Sequence, residues 1–322
     1  MRRYFIIVLC IGALASACPM QSCANGETKA GSAAPVEEKV VPEPVKVEAA
    51  KDSSDAKPSA STIVIESMLR VAAKQDPNTN FPLFFARKFL NVPYVAHTLE
   101  VNDEEQLVIN IRELDCTTLV ETVTALTRCV YQSQLTFAAF QDNLRNMRYY
   151  NGVINRYPSR IHYFTDWILE NSKAGIVTEI QQPNPPFTQE QTLKINYMSQ
   201  HPQSYKALKA HPEYVAEIAQ MEQRLTGQKV RFIPKSEVKD TPAMRETIHD
   251  GDIIAITCNK PGLDVAHLGF AVWREDGLHL LNASQLHKKV VEESMTLSQY
   301  LQKHPTHTGI RIIRINKLII NH

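Results

Sequence analysis

The sequence predicts an α+β domain in which a helix headed by a cysteine packs against an antiparallel sheet of about five strands, with additional helices around them. Two observations carry this. Asp115-Cys116-Thr117-Thr118 precedes an apolar stripe at Leu119, Val120, Val123, Leu126 and Val130. That spacing fits one face of a 3.6-residue helix, with Asp115 as its N-cap. Toward the C-terminus the period changes to short apolar, β-branched runs at 252–257, 266–273, 278–284, 289–292 and 310–315, broken by turn signals such as Glu275-Asp276-Gly277. Runs of this kind joined by short turns read as neighbouring antiparallel strands.

The chain opens with Arg2-Arg3, an apolar run from Tyr4 to Leu14, then Ala15-Ser16-Ala17 before Cys18. Charged, apolar and small-residue regions in that order predict a secretory signal over 1–24, hence an exported protein of the periplasm or membrane surface. Cys18 is similar to the acylated cysteine of bacterial lipoproteins, although Ala15 stands where such boxes usually carry Leu; cleavage after Ala24 is the competing reading. A lipid on Cys18 is the one membrane attachment expected, because no later segment reaches the roughly 18 unbroken apolar residues of a spanning helix. Residues 25–61 are rich in Ala, Pro, Glu, Lys, Ser and Val and hold no aromatic residue. Such a segment buries too little surface to offset the entropy of ordering it, which predicts a disordered tether.

A single domain is expected over 62–322. After the Cys116 helix, Arg160-Ile161-His162-Tyr163-Phe164-Thr165-Asp166-Trp167 concentrates aromatic and polar side chains. Pro183, Pro185 and Pro186 then break off an insertion at about 181–250, in which 188–197 and 212–225 have helical spacing. Helices added there would narrow a cleft and select among ligands.

The formal net charge of +1 gives no field to steer nucleic acid, and the basic residues are scattered, which argues against nucleic-acid binding. Outside the leader the cysteines are Cys116, Cys129 and Cys258. Cys116 and Cys129 lie about 20 Å apart on one helix, so no bridge forms between them. There is no CxxC pair and no HExxH, and His304 with His307 stands apart from any carboxylate cluster; no metal or other cofactor is indicated.

Cys116 sits where the helix dipole and unpaired amides favour thiolate. Along the strand at 266–273, His267, Gly269 and Ala271 share one face, and Leu268, Phe270 and Val272 the other. The small residues beside His267 predict that the Cys116 helix packs on that face. The next strand, reached through a turn at 275–277, brings Asn282 beside His267. Cys116 as nucleophile, His267 as base and acid, and Asn282 orienting the ring form a complete cysteine-hydrolase set. From these residues alone the chain is a thiol hydrolase or acyltransferase, or else a binding protein with an inert thiol.

Together with Val92-Pro93-Tyr94, Leu114-Asp115-Cys116-Thr117-Thr118-Leu119-Val120-Glu121, 160–167, Tyr197-Met198-Ser199, Gly251-Asp252-Ile253-Ile254, 262–270 and Leu281-Asn282-Ala283-Ser284, the chain resembles the DUF1460 group of N-acetylmuramoyl-L-alanine amidase-like proteins within the papain-like NlpC/P60 superfamily. The resemblance covers about 84–316. It implies a papain-like fold and a bacterial enzyme that cleaves the amide between N-acetylmuramic acid and L-alanine in peptidoglycan fragments (muropeptides). It also implies substrate contacts from Tyr94, Arg160, His162, Tyr163, Trp167 and Asp264. One departure stands out: Asn282 occupies a place where such proteins usually carry His. A stem-peptide endopeptidase of the NlpC/P60 type and a non-catalytic peptidoglycan-binding lipoprotein are the alternatives.

Overall fold

The computed structural model describes residues 59–317; the expected signal 1–24, Cys18 and nearly all of the expected tether lie outside them. The first described helix begins at Ala60, two positions before the expected start of the domain at 62. Ser59 caps α1 (Ala60–Ala72) by accepting the Thr62 N–H at 3.1 Å. Helices α2 (Phe81–Lys88), α3 (Cys116–Tyr131), α4 (Phe137–Arg148) and α5 (Phe164–Lys173) follow, then strands β1 (Val177–Ile180) and β2 (Gln189–Thr192). Next come α6 (Tyr197–Gln200), α7 (Lys206–Ala210), α8 (Tyr214–Leu225), β3 (Lys229–Pro234) and α9 (Pro242–Thr247). The chain closes with β4 (Ile253–Cys258), β5 (Val265–Arg274), β6 (Gly277–Ser284), β7 (Lys289–Glu292), α10 (Leu297–Gln302) and β8 (His307–Ile315).

The sheet is antiparallel and runs β2-β3-β8-β4-β5-β6-β7, with β1 also paired to β8. It has eight strands among the described residues, not about five. The five C-terminal runs are all strands; the additional ones are β1, β2 and β3. β1 takes Ile312 to Ile315 of β8 and β3 takes Gly309 and Ile310, so two short strands share one edge of a longer one.

In the insertion, α8 forms as expected and buries Ile218, Met221 and Leu225. The segment 188–197 does not form a helix. Its polar residues Gln189 to Thr192 pair with β3, and helix returns only at Tyr197. An edge strand of polar residues exposed on both faces has no period-2 pattern to announce it.

The two faces of the sheet carry separate apolar clusters. Leu119, Val120 and Val123 of α3 pack with Leu268, Phe270, Leu281 and Ala283. On the other face Ala271 and Leu280 pack with Leu297, Tyr300 and Leu301 of α10. The Cys116 helix therefore lies on the Leu268 and Phe270 face, opposite the small-residue face that the sequence suggested. Large apolar side chains won because they remove more surface from water than the room left by Gly269 and Ala271 can repay.

Candidate active site

Cys116 is the first residue of α3, and a reciprocal cap fixes that helix end. Asp115 Oδ1 accepts the Thr118 N–H at 2.8 Å, and the Asp115 N–H donates to Thr118 Oγ1 at 2.9 Å. The Leu119 N–H bonds the Asp115 carbonyl at 3.0 Å, so the amides of Cys116 and Thr117 are the ones the cap leaves at the helix end.

The cysteine reaches the strand of the histidine at the neighbouring residue, Leu268, although α3 packs on the face opposite His267. Pairing of β5 with β6 ends at Phe270 and Leu281, which leaves the backbone of Leu268 unpaired on that side. Its amide lies close enough to the Cys116 sulfur to pull that thiol's pKa down. The helix start thus meets the sheet where β5 and β6 part, one residue from His267. Gly269 keeps the fork tight: a Cβ there would meet Leu281 O and Leu280 Cδ1, each at 2.7 Å. His267 Nε2 lies 2.9 Å from Asn282 Oδ1, as the strand register implies. Asn282 is fully buried and its Nδ2 donates to Glu293 Oε1 at 3.1 Å.

The electrostatics depart from expectation. Burial pushes the Cys116 thiol up to about 12, and the Asp115 charge adds to the rise; the Leu268 N–H and the other hydrogen bonds to sulfur do not compensate. Burial also holds His267 below the usual histidine value, against the opposing pull of its bond to Asn282 and the charge of Glu293. The helix terminus does not make a resting thiolate here, because desolvation of a charged sulfur outweighs a screened partial charge. Beside the cysteine, half-buried Tyr94 is pushed up to about 12 by burial and by the charges of Cys116 and Asp115. Its hydroxyl remains a donor.

The other expected contact residues are mostly internal. Trp167 is 2% exposed and stacks on Phe164 at 4.9 Å. Tyr163 is buried and donates to Glu222 Oε1 at 2.7 Å, tying the insertion to the start of α5. Asp264 accepts the Thr165 N–H at 2.7 Å and the Val265 N–H at 2.8 Å, so it caps α5 from a distance and holds the start of the His267 strand. Their side chains offer no surface to a ligand; the resemblance could not distinguish a wall from its supports. His162 is half-buried, with Nε2 bonded to the Tyr157 carbonyl at 2.9 Å. Arg160 is buried beside Glu100 and Glu105, at 3.4 and 3.6 Å. It lines a pocket of about 530 Å³ with Tyr157, Lys206 and Tyr214, so the insertion forms one wall of that hollow. A larger hollow of about 670 Å³, around Asn80, Tyr131 and His249, lies away from this chemistry; neither is lined by Cys116 or His267.

Sequence reasoning missed Tyr300 and Glu293. The Tyr300 ring lies 6.5 Å from that of His267, and burial, Glu293 and Cys116 together raise its pKa. Neither residue belongs to a local motif; only the return of β7 and α10 beneath β6 brings them in.

A family model described as N-acetylmuramoyl-L-alanine amidase-like matches residues 84–310. The chain belongs to that family. Two crystal structures of an N-acetylmuramoyl-L-alanine amidase from Bacteroides uniformis are similar to it at 44% and 45% identity. Each alignment covers 74% of this chain and 98% of that one, with a TM-score of 0.69. A Legionella pneumophila protein of the DUF1460 family is 22% identical over 79% of this chain and 94% of its own, at a TM-score of 0.60, a likeness of fold. No curated protein matches. Amidase family membership makes this chain a hydrolase of the amidase type.

Proposed function

We propose that the protein is a cysteine amidase of the papain-like NlpC/P60 type that hydrolyses the bond between N-acetylmuramic acid and L-alanine in muropeptides. The observation that carries the reading is the fork at which Cys116, on its helix start, lies against the Leu268 amide while the neighbouring His267 bonds Asn282. The amidase name of relatives at 44% identity supports the choice of bond.

The resting pair is thiol and neutral imidazole, so proton transfer accompanies attack. Cys116 Sγ forms a bond to the lactyl carbonyl carbon as its proton passes to His267 Nδ1, the ring nitrogen that does not face Asn282. Negative charge grows on the carbonyl oxygen, where the Cys116 N–H and the Tyr94 hydroxyl are the available donors. The C–N bond then breaks, His267 gives its proton to the leaving L-alanyl amine, and a thioester remains. Water attacks the thioester, losing a proton to the same nitrogen, and the sulfur departs and recovers that proton. Export through the N-terminal signal, with a lipid on Cys18 and the tether that follows, would bring this chemistry to the cell envelope.

Mass spectrometry of a defined muropeptide after incubation tests the reading. Free N-acetylmuramic acid or its disaccharide together with an intact stem peptide is expected. A shortened peptide still joined to the sugar would make the protein an endopeptidase, and no cleavage would remove the enzymatic reading.

A further inference from the structure

An asparagine beside a histidine can present either its oxygen or its amide nitrogen to the ring, and only the first suits a ring that keeps Nδ1 as the base. Asn282 is fully buried, with Oδ1 2.9 Å from His267 Nε2 and Nδ2 donating to Glu293 Oε1 at 3.1 Å. Glu293 is buried as well, its side chain 1% exposed, just past β7, where Val291 lies opposite Asn282. Its second oxygen is 3.1 Å from Nε2 of His287, an exposed ring in the turn between β6 and β7. Besides Asn282, His287 is the one residue hydrogen-bonded to the Glu293 carboxyl among the described residues.

We propose that Glu293 is a positioning residue that sets the polarity of the His267–Asn282 hydrogen bond and thereby the tautomer of His267. The proposal rests on the cysteine-amidase reading and deepens it. A carboxylate has no proton to donate, so it accepts from Nδ2 and repels Oδ1. A reversed amide would set oxygen against oxygen at Glu293 in a buried place and would turn the ring to its Nδ1–H tautomer. With Nδ2 held on Glu293, Oδ1 faces the ring and accepts from Nε2–H. The lone pair then lies on Nδ1, the nitrogen the thiol must reach. His287 holds the far oxygen, so the carboxylate does not turn away. A glutamine at this position has the same shape but offers either an oxygen or an amide, and so leaves both polarities open.

Long-range proton–nitrogen NMR of the ¹⁵N-histidine-labelled full chain reads the tautomer directly, with H267A identifying the His267 signals. The wild type should show Nε2–H alone. Glu293→Gln should populate the Nδ1–H tautomer to at least about a tenth and lower kcat at least about tenfold, with KM within about threefold. In an N282A background the same substitution should change neither reading by more than about twofold, because the amide through which it acts is gone. An Nδ1–H ring in the wild type overturns the proposal without any variant, and so settles the matter even if E293Q does not fold. An unchanged tautomer in E293Q, or an equal change in the N282A background, overturns it too. The NMR measurement needs no substrate: a wild type that cleaves no muropeptide refutes the amidase reading, while the tautomer still decides the role of Glu293.

Discussion

Truncation of Asn282 to alanine tests the third member of the site in both rate and stability. The side chain is fully buried, and its one amide serves His267 at 2.9 Å and Glu293 at 3.1 Å. The bond to His267 matters most while the ring carries the thiol's proton. A hydrogen bond to a charged group contributes about 1.5–3 kcal/mol, and about 1.4 kcal/mol is tenfold in rate, so kcat should fall about tenfold to a hundredfold. KM should stay within about threefold, because the neutral ring of the ground state depends less on the bond. Glu293 loses its donor in a dry place, at about 1–3 kcal/mol, which moves Tm by about 2–4 °C per kcal/mol in a domain of this size. Steady-state release of the L-alanyl amine at 25 °C, with a melting curve, measures both. Asn282→His supplies a ring that can accept from His267 and donate to Glu293, and should keep kcat within about tenfold of wild type. An alanine variant with unaltered kcat would refute this reasoning, whatever its Tm.

His267→Ala should abolish turnover nearly as completely as loss of the nucleophile, since cooperating groups fail together; retained activity would require another base, and His162, bonded to the Tyr157 carbonyl, would need to break that bond to serve. The pH dependence follows from the shifts. Burial lowers His267, so the inactivating protonation, and with it the acid limb of kcat/KM, should fall below the free histidine value of about 6.5. Iodoacetamide labelling of Cys116, resolved by peptide mass, should still be rising above pH 9, since the thiol is pushed up to about 12; a plateau near neutral pH would show a preformed thiolate. His162, lowered to about 3 by burial and the Arg160 charge, stays neutral when folded, while the unfolded chain protonates near 6.5. As pH falls through that window the unfolded state binds the extra proton, and the folded protein loses at most about 1.4 kcal/mol per pH unit from this group. Burial raises Glu105 and Asp166 and works in the opposite sense, so the variant isolates the term: His162→Phe should show a smaller fall in Tm from pH 7 to pH 5 than wild type, and an equal fall would contradict the assignment.

The helix of Cys116 and the five C-terminal strands were legible because each has a period of its own. Leu119, Val120 and Val123 form a stripe, and alternation along 266–273 separates His267 from Leu268. Alternation also put Asn282 within reach of His267, since one tight turn fixes the register of β5 on β6. What failed depended on partners distant in sequence. β2 is a strand because β3 lies beside it. The face on which α3 packs was decided by apolar area, and the state of the Cys116 thiol by burial, neither of which a local window contains. Trp167, Tyr163 and Asp264 are the residue types that contact ligands and also those that brace a site, and their spacing is the same in both roles. Glu293 reaches Asn282 only after the chain has turned back through β7.

The proposed hydrolysis depends on Cys116 as its nucleophile. Turnover of a defined N-acetylmuramoyl peptide by Cys116→Ala, beside wild type and with melting curves for both, tests it most directly. The half-buried residue at a capped helix start has few apolar contacts to lose, so Tm should stay within a few degrees. Amine release should drop to the level of buffer alone. A folded C116A protein that releases the L-alanyl peptide at the wild-type rate would contradict the account.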